Sequence, residues 1–363
     1  MPIDILNSVS STYIFAIVLF VGLLFSSKKK ESAELLPPML SQELKGFAML
    51  AIILAHIGYF LVSDHRFLFP LSIFAGVGVD LFLFLSGFGL AVSALKNKLL
   101  PKAFYLRHLP KLYVPFWIVL SVFFVADFLL LNNSYSWSYI LQSFVGFFPH
   151  ANLFTDINSP LWYLTFILFF YLIFPILFFK QRPLLSALLI YGAVQGVMYA
   201  HLSILKNVEH LYVLHTIAFP LGVAVAGLYQ RYPKEREYVE GHIKKMSTWI
   251  LIPIMIFLAG IFSYFAYFSG VGTPTQQYIS LLLTALLLIL FILKPFRVGL
   301  LYLLGIYSYE LYLIHWPLMS RYDILYQNLP AWLATALYIP LLLGLSWLLH
   351  KAVKTLLKKR NIS

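Results

Sequence analysis

The sequence predicts an all-α polytopic membrane helix bundle with about 11 transmembrane helices. Of its 363 residues, 61% are hydrophobic and only 11% are charged, and the mean hydropathy is +0.85. A soluble domain usually carries about a quarter charged residues. Long apolar runs separated by short polar connections therefore indicate helices that each cross a bilayer.

Eleven apolar runs approach the roughly 20 residues that a spanning helix needs. In chain order they are Val9 to Phe25, Phe47 to Val62, Leu71 to Leu95, Leu112 to Leu131, Leu161 to Phe179, Leu184 to Leu202, Leu211 to Tyr229, Trp249 to Phe268, Tyr278 to Leu293, Leu300 to Met319 and Ala331 to His350. We interpret residues 1–363 as a single membrane domain. Residues 1–30 form an additional N-terminal helix before a ten-helix core at 41–350.

The basic residues predict the orientation. All but three of the 26 Lys and Arg residues lie on one side, from the first loops to Arg360, and the exceptions are Arg66, Lys206 and Arg321. Because Lys and Arg accumulate on the cytoplasmic side, the N-terminus is predicted outside and the C-terminus inside. The net charge of +12 is divided among membrane-flanking loops. It therefore indicates contact with the lipid bilayer and not with nucleic acid.

Several chemistries are excluded by composition and motifs. The chain has no cysteine, so it offers neither a disulfide nor a thiolate. It contains no phosphate-binding glycine loop, no GxSxG elbow, no HExxH motif and no metal-ligand spacing. No metal site is predicted, and reactive groups must be sought among polar residues inside the spans.

Ionisable side chains inside a membrane are costly, so each is a functional candidate. His56 lies in the second predicted span, about 16 Å from Lys45 at its cytoplasmic end, and Asp80 lies in the third. Counting from the span ends places His56 and Asp80 at similar depth. A carboxylate bound to an imidazole fixes its tautomer and favours general-base catalysis. The alternative is a structural polar pair between two helices.

Other polar or interfacial residues have a functional and a structural interpretation. In the third span, Ser86 and Gly87 offer hydrogen bonds to a ligand or simply allow close helix packing. Four further residues either bind a substrate or have an interfacial or structural role: Trp162, Ser308, Glu310 and His315.

Four segments together resemble acyltransferase family 3, whose members are multipass membrane acyltransferases. They are SQELKGFAMLAIILAH (41–56), GVDLFLFLSGF (78–88), SPLWYLTFILFFYLIFP (159–175) and LGIYSYELYLIHWPL (304–318). Their order also matches the family. The chain departs from it at Lys45, where arginine is usual, and at Thr165 to Leu168, where many members carry an acidic residue.

The resemblance implies an O-acyltransferase of the plasma (inner) membrane. Its donor would be a cytoplasmic acyl-CoA, commonly acetyl-CoA, with no permanently bound cofactor. Its acceptor would be a hydroxyl of a surface polysaccharide or lipid-linked glycan, and polysaccharide-assembly proteins would be its partners. His56 and Asp80 would be catalytic. Lys45, Ser86, Gly87, Trp162, Ser308, Glu310 and His315 would bind substrate. The CoA phosphates would meet Lys102, Arg107, Lys111 and Arg297.

The polar spans also allow a function from another class, a transporter or exporter of glycan or lipid intermediates that transfers no acyl group. Transporters commonly contain two repeated halves with interrupted helices. The sequence shows no convincing internal repeat. The enzyme is therefore the favoured hypothesis.

Overall fold

A computed structural model describes residues 3–30, 34–268 and 275–359 of the chain. The helices are α1 (Ser8–Phe25), α2 (Pro38–Ala55), α3 (Ala75–Lys96), α4 (Pro101–Leu131), α5 (Trp137–Val145), α6 (Trp162–Leu177), α7 (Pro183–Tyr199), α8 (Glu209–Val213), α9 (Ala218–Arg231), α10 (Pro233–Lys245), α11 (Thr248–Tyr267), α12 (Gln276–Leu293), α13 (Gly299–Ile306), α14 (Ser308–Ser320) and α15 (Ala331–Lys359). Two short strands, β1 (Ser27–Lys29) and β2 (Phe296–Val298), pair antiparallel with Lys28 opposite Arg297. Arg360 lies outside the described residues.

The predicted class, an all-α multipass membrane protein, is confirmed. Within the three described ranges, nine helical segments are long and apolar enough to cross a membrane. Two predicted spans are not among them. Leu184 to Leu202 corresponds to α7, which has 17 residues, and Leu300 to Met319 is divided into α13 and α14. The count of eleven and the orientation stay predictions.

The ends of the bundle differ in charge. We call the end that carries Lys45, Lys96 and Arg231 the basic end, and the other the opposite end. At the basic end, helix α4 begins at Pro101, well before the predicted span start at Leu112. Proline is favoured at the first helical position. Lys102, Arg107 and Lys111 therefore lie on this helix and not in a connection.

Helix α2 is the central helix, and two glycine contacts hold it against α13. A Cβ added to Gly46 would lie 1.7 Å from the carbonyl oxygen of Leu301, and one added to Gly305 would lie 1.8 Å from that of Gln42. Only glycine allows the two backbones to approach this closely. Helices α3 and α9 cross in the same way at Gly87, where an added Cβ would lie 2.2 Å from Phe219 O.

The last turn of this central helix is wider than an α-helical turn. Residues His56–Leu61 form a π-helical turn, which ends with Val62 N–H donating to the Ile57 carbonyl at 3.2 Å. Such turns are rare and frequently occur at functional sites. A Cβ on Gly58 would lie 2.8 Å from Phe67 O, so the following loop is packed against the turn.

The first helix joins the bundle at both ends. At the opposite end, Leu68 N–H donates to Thr12 Oγ1 at 2.8 Å, and at the basic end Lys30 Nζ donates to the Ile292 carbonyl at 2.7 Å. Close to Lys30, an ion pair joins α2 to the segment after α12. Lys294 Nζ is 2.7 Å from Glu43 Oε1, which also accepts from Val298 N–H. Burial lowers the pKa of the Lys294 ammonium, and the Glu43 carboxylate opposes that shift.

Candidate active site

Two histidines form the centre of the candidate site. His56 Nδ1 lies 2.8 Å from His315 Nε2. His315 Nδ1 lies 2.8 Å from the carbonyl oxygen of Tyr312 and 3.1 Å from that of Leu311. Because a carbonyl only accepts, Nδ1 of His315 carries the proton, and its Nε2 is then an acceptor in the neutral ring. His56 Nδ1–H therefore donates to His315.

This chain of hydrogen bonds determines the state of the other nitrogen of His56. With Nδ1 protonated, Nε2 of the neutral ring has a lone pair, and no described residue hydrogen-bonds to it. His56 is only partly buried, whereas His315 is fully buried. The arrangement can accept a proton or attack a carbonyl through His56 Nε2. It needs no carboxylate to set the tautomer.

Aromatic rings enclose the pair. The His56 ring centroid lies 5.3 Å from that of Trp316 and 5.8 Å from that of Phe60. Trp316 is fully buried, and its Nε1 donates to the Leu153 carbonyl at 3.3 Å. These contacts restrict the orientation of the His56 ring, which a base or nucleophile requires.

The segment before α6 reaches the same part of α14. Pro317 has no N–H, so the carbonyl of Leu313 lacks its helical donor, and Asn158 Nδ2 donates to it at 2.9 Å. Asn158 is 3% exposed, and its Oδ1 is enclosed without a hydrogen-bond partner. A buried acceptor left unpaired is costly, so this oxygen is a candidate contact for a substrate hydroxyl.

A buried ion pair fastens this segment to the bundle. Asp127, at the end of α4, accepts from Arg321 Nη1 and, at 2.5 Å, from the hydroxyls of Tyr135 and Tyr322. Arg321 Nη2 donates to the Asp156 carbonyl at 2.6 Å. Burial raises the pKa of the Asp156 carboxyl, and the hydrogen bond from Asn152 N–H opposes the shift. The cluster thus fixes the chain two residues before Asn158.

The predicted pairing of His56 with Asp80 is wrong. Asp80 is fully buried and binds a different histidine, with 2.7 Å between Asp80 Oδ1 and His215 Nδ1. Its other oxygen accepts from the hydroxyl of Ser280. The His215 ring stacks against Trp162, with centroids 6.1 Å apart and planes at 19°. Asp80 therefore orients His215 and not His56.

The direction of the side chain around α3 explains the error. Gly78 faces α2, since an added Cβ would lie 2.8 Å from Ala48 O. Asp80 follows two residues later, which turns its side chain by about 200° and away from α2. Similar depth in the membrane was a correct requirement for contact with His56. It was not sufficient, because hydropathy does not report which face of a helix meets which neighbour.

We expect Asp80 and His215 to act as a stabilising unit. His215→Ala leaves a buried carboxylate without its partner and should lower the free energy of unfolding by about 3–5 kcal/mol. Asp80→Asn keeps the shape, and the double variant removes the carboxylate together with its histidine partner. In a thermal-unfolding cycle in detergent, the double variant should melt above His215→Ala. Additive losses would show that the two residues are not coupled.

The remaining predicted substrate contacts are scattered. Gly87 lies in the α3–α9 crossing, so packing and not ligand binding explains it. Ser86 is partly buried on α3, and Trp162 begins α6 beside His215. Glu310 is buried and pairs with His350 of α15, whose Nδ1 lies 2.7 Å from Glu310 Oε1. The Glu310 carboxylate is thus occupied by a partner on α15.

Ser308 opens α14 at the break after Tyr307. Its side chain is 8% exposed. The break separates α13, which packs on the basic half of α2, from α14, which carries His315. Ser308 therefore lies at the break between two helices, and among the described residues no contact joins it to His56.

Lys45 lines a cavity of about 680 Å³ at the basic end. Within the described residues its ammonium has no hydrogen-bond partner, and nearby the Oε1 of Gln42 is enclosed without a partner. Lys96 and Arg236 also line this space, which we call the basic cavity. Arg236 lies 3.7 Å from Glu240 and stacks on a neighbouring ring. The cavity has cations and an unpaired amide that could bind the anionic part of a polar ligand, and Glu34, Glu237 and Glu240 also line it.

The other predicted phosphate ligands do not come together there. Arg107 borders a separate shallow pocket with Lys98 and His108. Lys102 and Lys111 are exposed on α4. Arg297 lies on β2, where its guanidinium stacks over a tyrosine ring at 5.4 Å. The structure therefore does not bring together the four cations that the resemblance assigned to the CoA phosphates.

Comparison with known proteins identifies the family. The family model described as an acyltransferase domain, of acyltransferase family 3, matches residues 44–351. The chain belongs to acyltransferase family 3. Comparisons with curated proteins and with solved structures return no match. The protein is thus a multipass membrane acyltransferase, and the match begins within α2 and includes both histidines of the site.

Sequence reasoning missed two residues of this acyltransferase and did not predict the partner of a third. His215 was not identified as a candidate, although Asp80 in a span requires a partner. Asn158 received no role, and its signal was the unsatisfied carbonyl that Pro317 creates four residues earlier in α14. His315 was proposed as a substrate contact, and its bond to His56 depends on helix contacts that sequence spacing does not contain.

Proposed function

We propose that this acyltransferase moves an acetyl group from cytoplasmic acetyl-CoA to a hydroxyl of a surface polysaccharide or lipid-linked glycan, in the plasma membrane. One observation carries the proposal: His315 leaves His56 Nε2 unprotonated and unpaired at the end of the helix that carries Lys45. Lys45 and His56 are 11 residues apart, which is about three turns, so they share one face of α2 about 16 Å apart.

That separation suits the shape of acyl-CoA. Its phosphates would remain in the basic cavity near Lys45 and Lys96, where cations form charge-assisted hydrogen bonds to phosphate oxygens. The pantetheine arm would extend along α2 and present its thioester to His56. Lys45 lacks the bidentate fork of arginine, so it binds phosphate as a point charge.

The hydrogen bonds define the chemistry of His56. Nε2 accepts the proton of the acceptor hydroxyl while its oxygen attacks the thioester carbonyl, the carbon–sulfur bond breaks, and the thiolate takes the proton from Nε2–H to give CoA thiol. During the transfer His56 is an imidazolium, and His315 Nε2 accepts a stronger bond from its Nδ1–H. The His315 proton is held by two carbonyls, so it stays where it is.

A second route uses the same nitrogen. Nε2 attacks the thioester carbonyl directly, the carbon–sulfur bond breaks, and the CoA thiolate leaves. The acceptor oxygen then displaces the acyl group from Nε2, and its hydroxyl proton passes to the thiolate to give CoA thiol. Both routes are balanced without another reactant. Asn158 Oδ1 and Trp162 are the residues that we assign to acceptor binding, through a hydrogen bond and through stacking on a sugar ring. Ser86 would donate to the carbonyl oxygen in either route.

The proposal is tested with the full chain in lipid nanodiscs. Isotope-labelled acetyl-CoA and a glycan-lipid extract are supplied, and the products are analysed by mass spectrometry for an acetyl ester. We expect label on a hydroxyl and free CoA in equal amounts. Intact-protein mass after incubation without acceptor separates the two routes. Transfer only to amines, or no use of any acyl-CoA, would contradict the proposal.

A further inference from the structure

A second cavity at the basic end has a different composition from the basic cavity. It measures about 620 Å³ and lies where the start of α7 meets the end of α9. Its charged lining residues are Lys180, Arg182 and Arg231, and no acidic residue lines it. The basic cavity, by contrast, is also lined by Glu34, Glu237 and Glu240. The second cavity is therefore selectively suited to an anion.

The three cations have no partners within the described part of the chain. No side-chain hydrogen bond or ion pair joins Lys180, Arg182 or Arg231 to a described residue, and Arg231 only stacks on Tyr232, 5.6 Å from the ring centroid. Four other Lys and Arg residues in the described part of the chain form ion pairs, as Lys294 does with Glu43. Three uncompensated charges around one cavity repel one another, and an anion would relieve that repulsion.

The cavity also has an apolar side. Leu184, Leu185 and Leu228 line it and are exposed, with 39%, 39% and 41% of their surface accessible. In a membrane protein, exposed leucines on spanning helices face acyl chains. The wall is rigid, because Gly227 allows α9 to approach Pro183 at the first position of α7, where an added Cβ would lie 2.7 Å from its ring.

We propose that this cavity binds the phosphate of an anionic phospholipid. Lys180, Arg182 and Arg231 would hold the headgroup phosphate, Gln181 and Gln230 would bind headgroup hydroxyls, and the leucines would contact the acyl chains. Basic pockets at the predicted cytoplasmic boundary are typical sites for such headgroups. This site is distinct from the acyl-transfer site. Only Gln230 lines both cavities.

The test compares two triple variants of the full chain in a neutral detergent. The first is Lys180→Gln, Arg182→Gln and Arg231→Gln. The control is Lys351→Gln, Lys354→Gln and Lys358→Gln, which removes three exposed charges from α15 at the same end. The probes are dioctanoyl phosphatidylglycerol, dioctanoyl phosphatidylcholine and CoA. Binding is measured by thermal shift and native mass spectrometry.

We expect saturable binding of the phosphatidylglycerol probe, weakened about 100-fold in the first triple variant and unchanged in the control. Phosphatidylcholine should bind weakly to all three proteins, and CoA should not displace the lipid. If both triple variants lose phosphatidylglycerol binding equally, general surface charge explains the binding and the proposed site is wrong. Displacement by CoA would assign the cavity to the acyl donor and also overturn it. Because no acyl transfer is measured, the result does not depend on the proposed function.

Discussion

Replacing His56 with glutamine is expected to lower the rate of acyl transfer by about 10²- to 10⁴-fold. Glutamine can donate to His315 Nε2 as His56 Nδ1 does, so the local packing is largely kept. The amide, however, neither accepts the proton of a hydroxyl nor carries an acyl group. The measurement is labelled acetyl transfer by the full chain in nanodiscs at saturating acetyl-CoA.

His65→Gln is the matched control for that substitution. His65 lies on the exposed loop after the π-helical turn, nine residues from His56, and we expect a rate equal to that of the wild type. His315→Gln should give an intermediate rate, because its side-chain oxygen still accepts from His56 Nδ1–H although the ring is lost. A His56→Gln enzyme as fast as wild type would remove this residue from the reaction.

The second large effect concerns stability. Gly46→Ala and Gly305→Ala each place a methyl group within 2 Å of a carbonyl oxygen, at 1.7 Å and 1.8 Å respectively. Neither contact is with a flexible side chain, so α2 and α13 must separate. We expect each substitution to lower the free energy of unfolding by about 3 kcal/mol. Thermal unfolding in detergent and the yield of monodisperse protein are the measurements.

Gly344→Ala is a control that we expect to raise stability and not to lower it. Gly344 lies within α15, and a Cβ added there would meet no atom within 4 Å. Because alanine has the higher helix propensity, this substitution should raise stability by up to about 1 kcal/mol. If Gly46→Ala unfolds at the same temperature as Gly344→Ala, the close contact between α2 and α13 does not contribute to the fold.

The sequence was most informative about properties that depend on composition along the chain. Hydropathy predicted the all-α multipass class and the position of most helices, and Lys45 and His56 were identified from their spacing on α2. Interruptions were harder to predict. The π-helical turn at His56 and the break at Tyr307 arise within apolar segments whose hydropathy does not change. Local hydrogen bonding, which composition does not describe, determines both.

The candidate site was only partly predictable, because it depends on contacts between helices. Asp80 and His315 were both identified as polar residues in spans, but their partners were not. A turn of about 100° per residue changes the neighbour of a side chain without changing its depth. Spacing therefore gave the distance of His56 from Lys45 along α2, whereas its bond to His315 requires the packing of α14 against the end of α2.

The glycine contacts along α2 have a consequence for the acyl donors that this acyltransferase would accept. The half of α2 that carries Lys45 is packed closely against α13, and its other end is packed at Gly58 against Phe67. We therefore expect the distance between Lys45 and His56 to stay constant. Under the proposed function, the phosphate-binding and acyl-transfer positions then stay at a constant separation. Donors are selected by the reach of the arm between phosphate and thioester, and a short thioester without that arm would be a poor substrate.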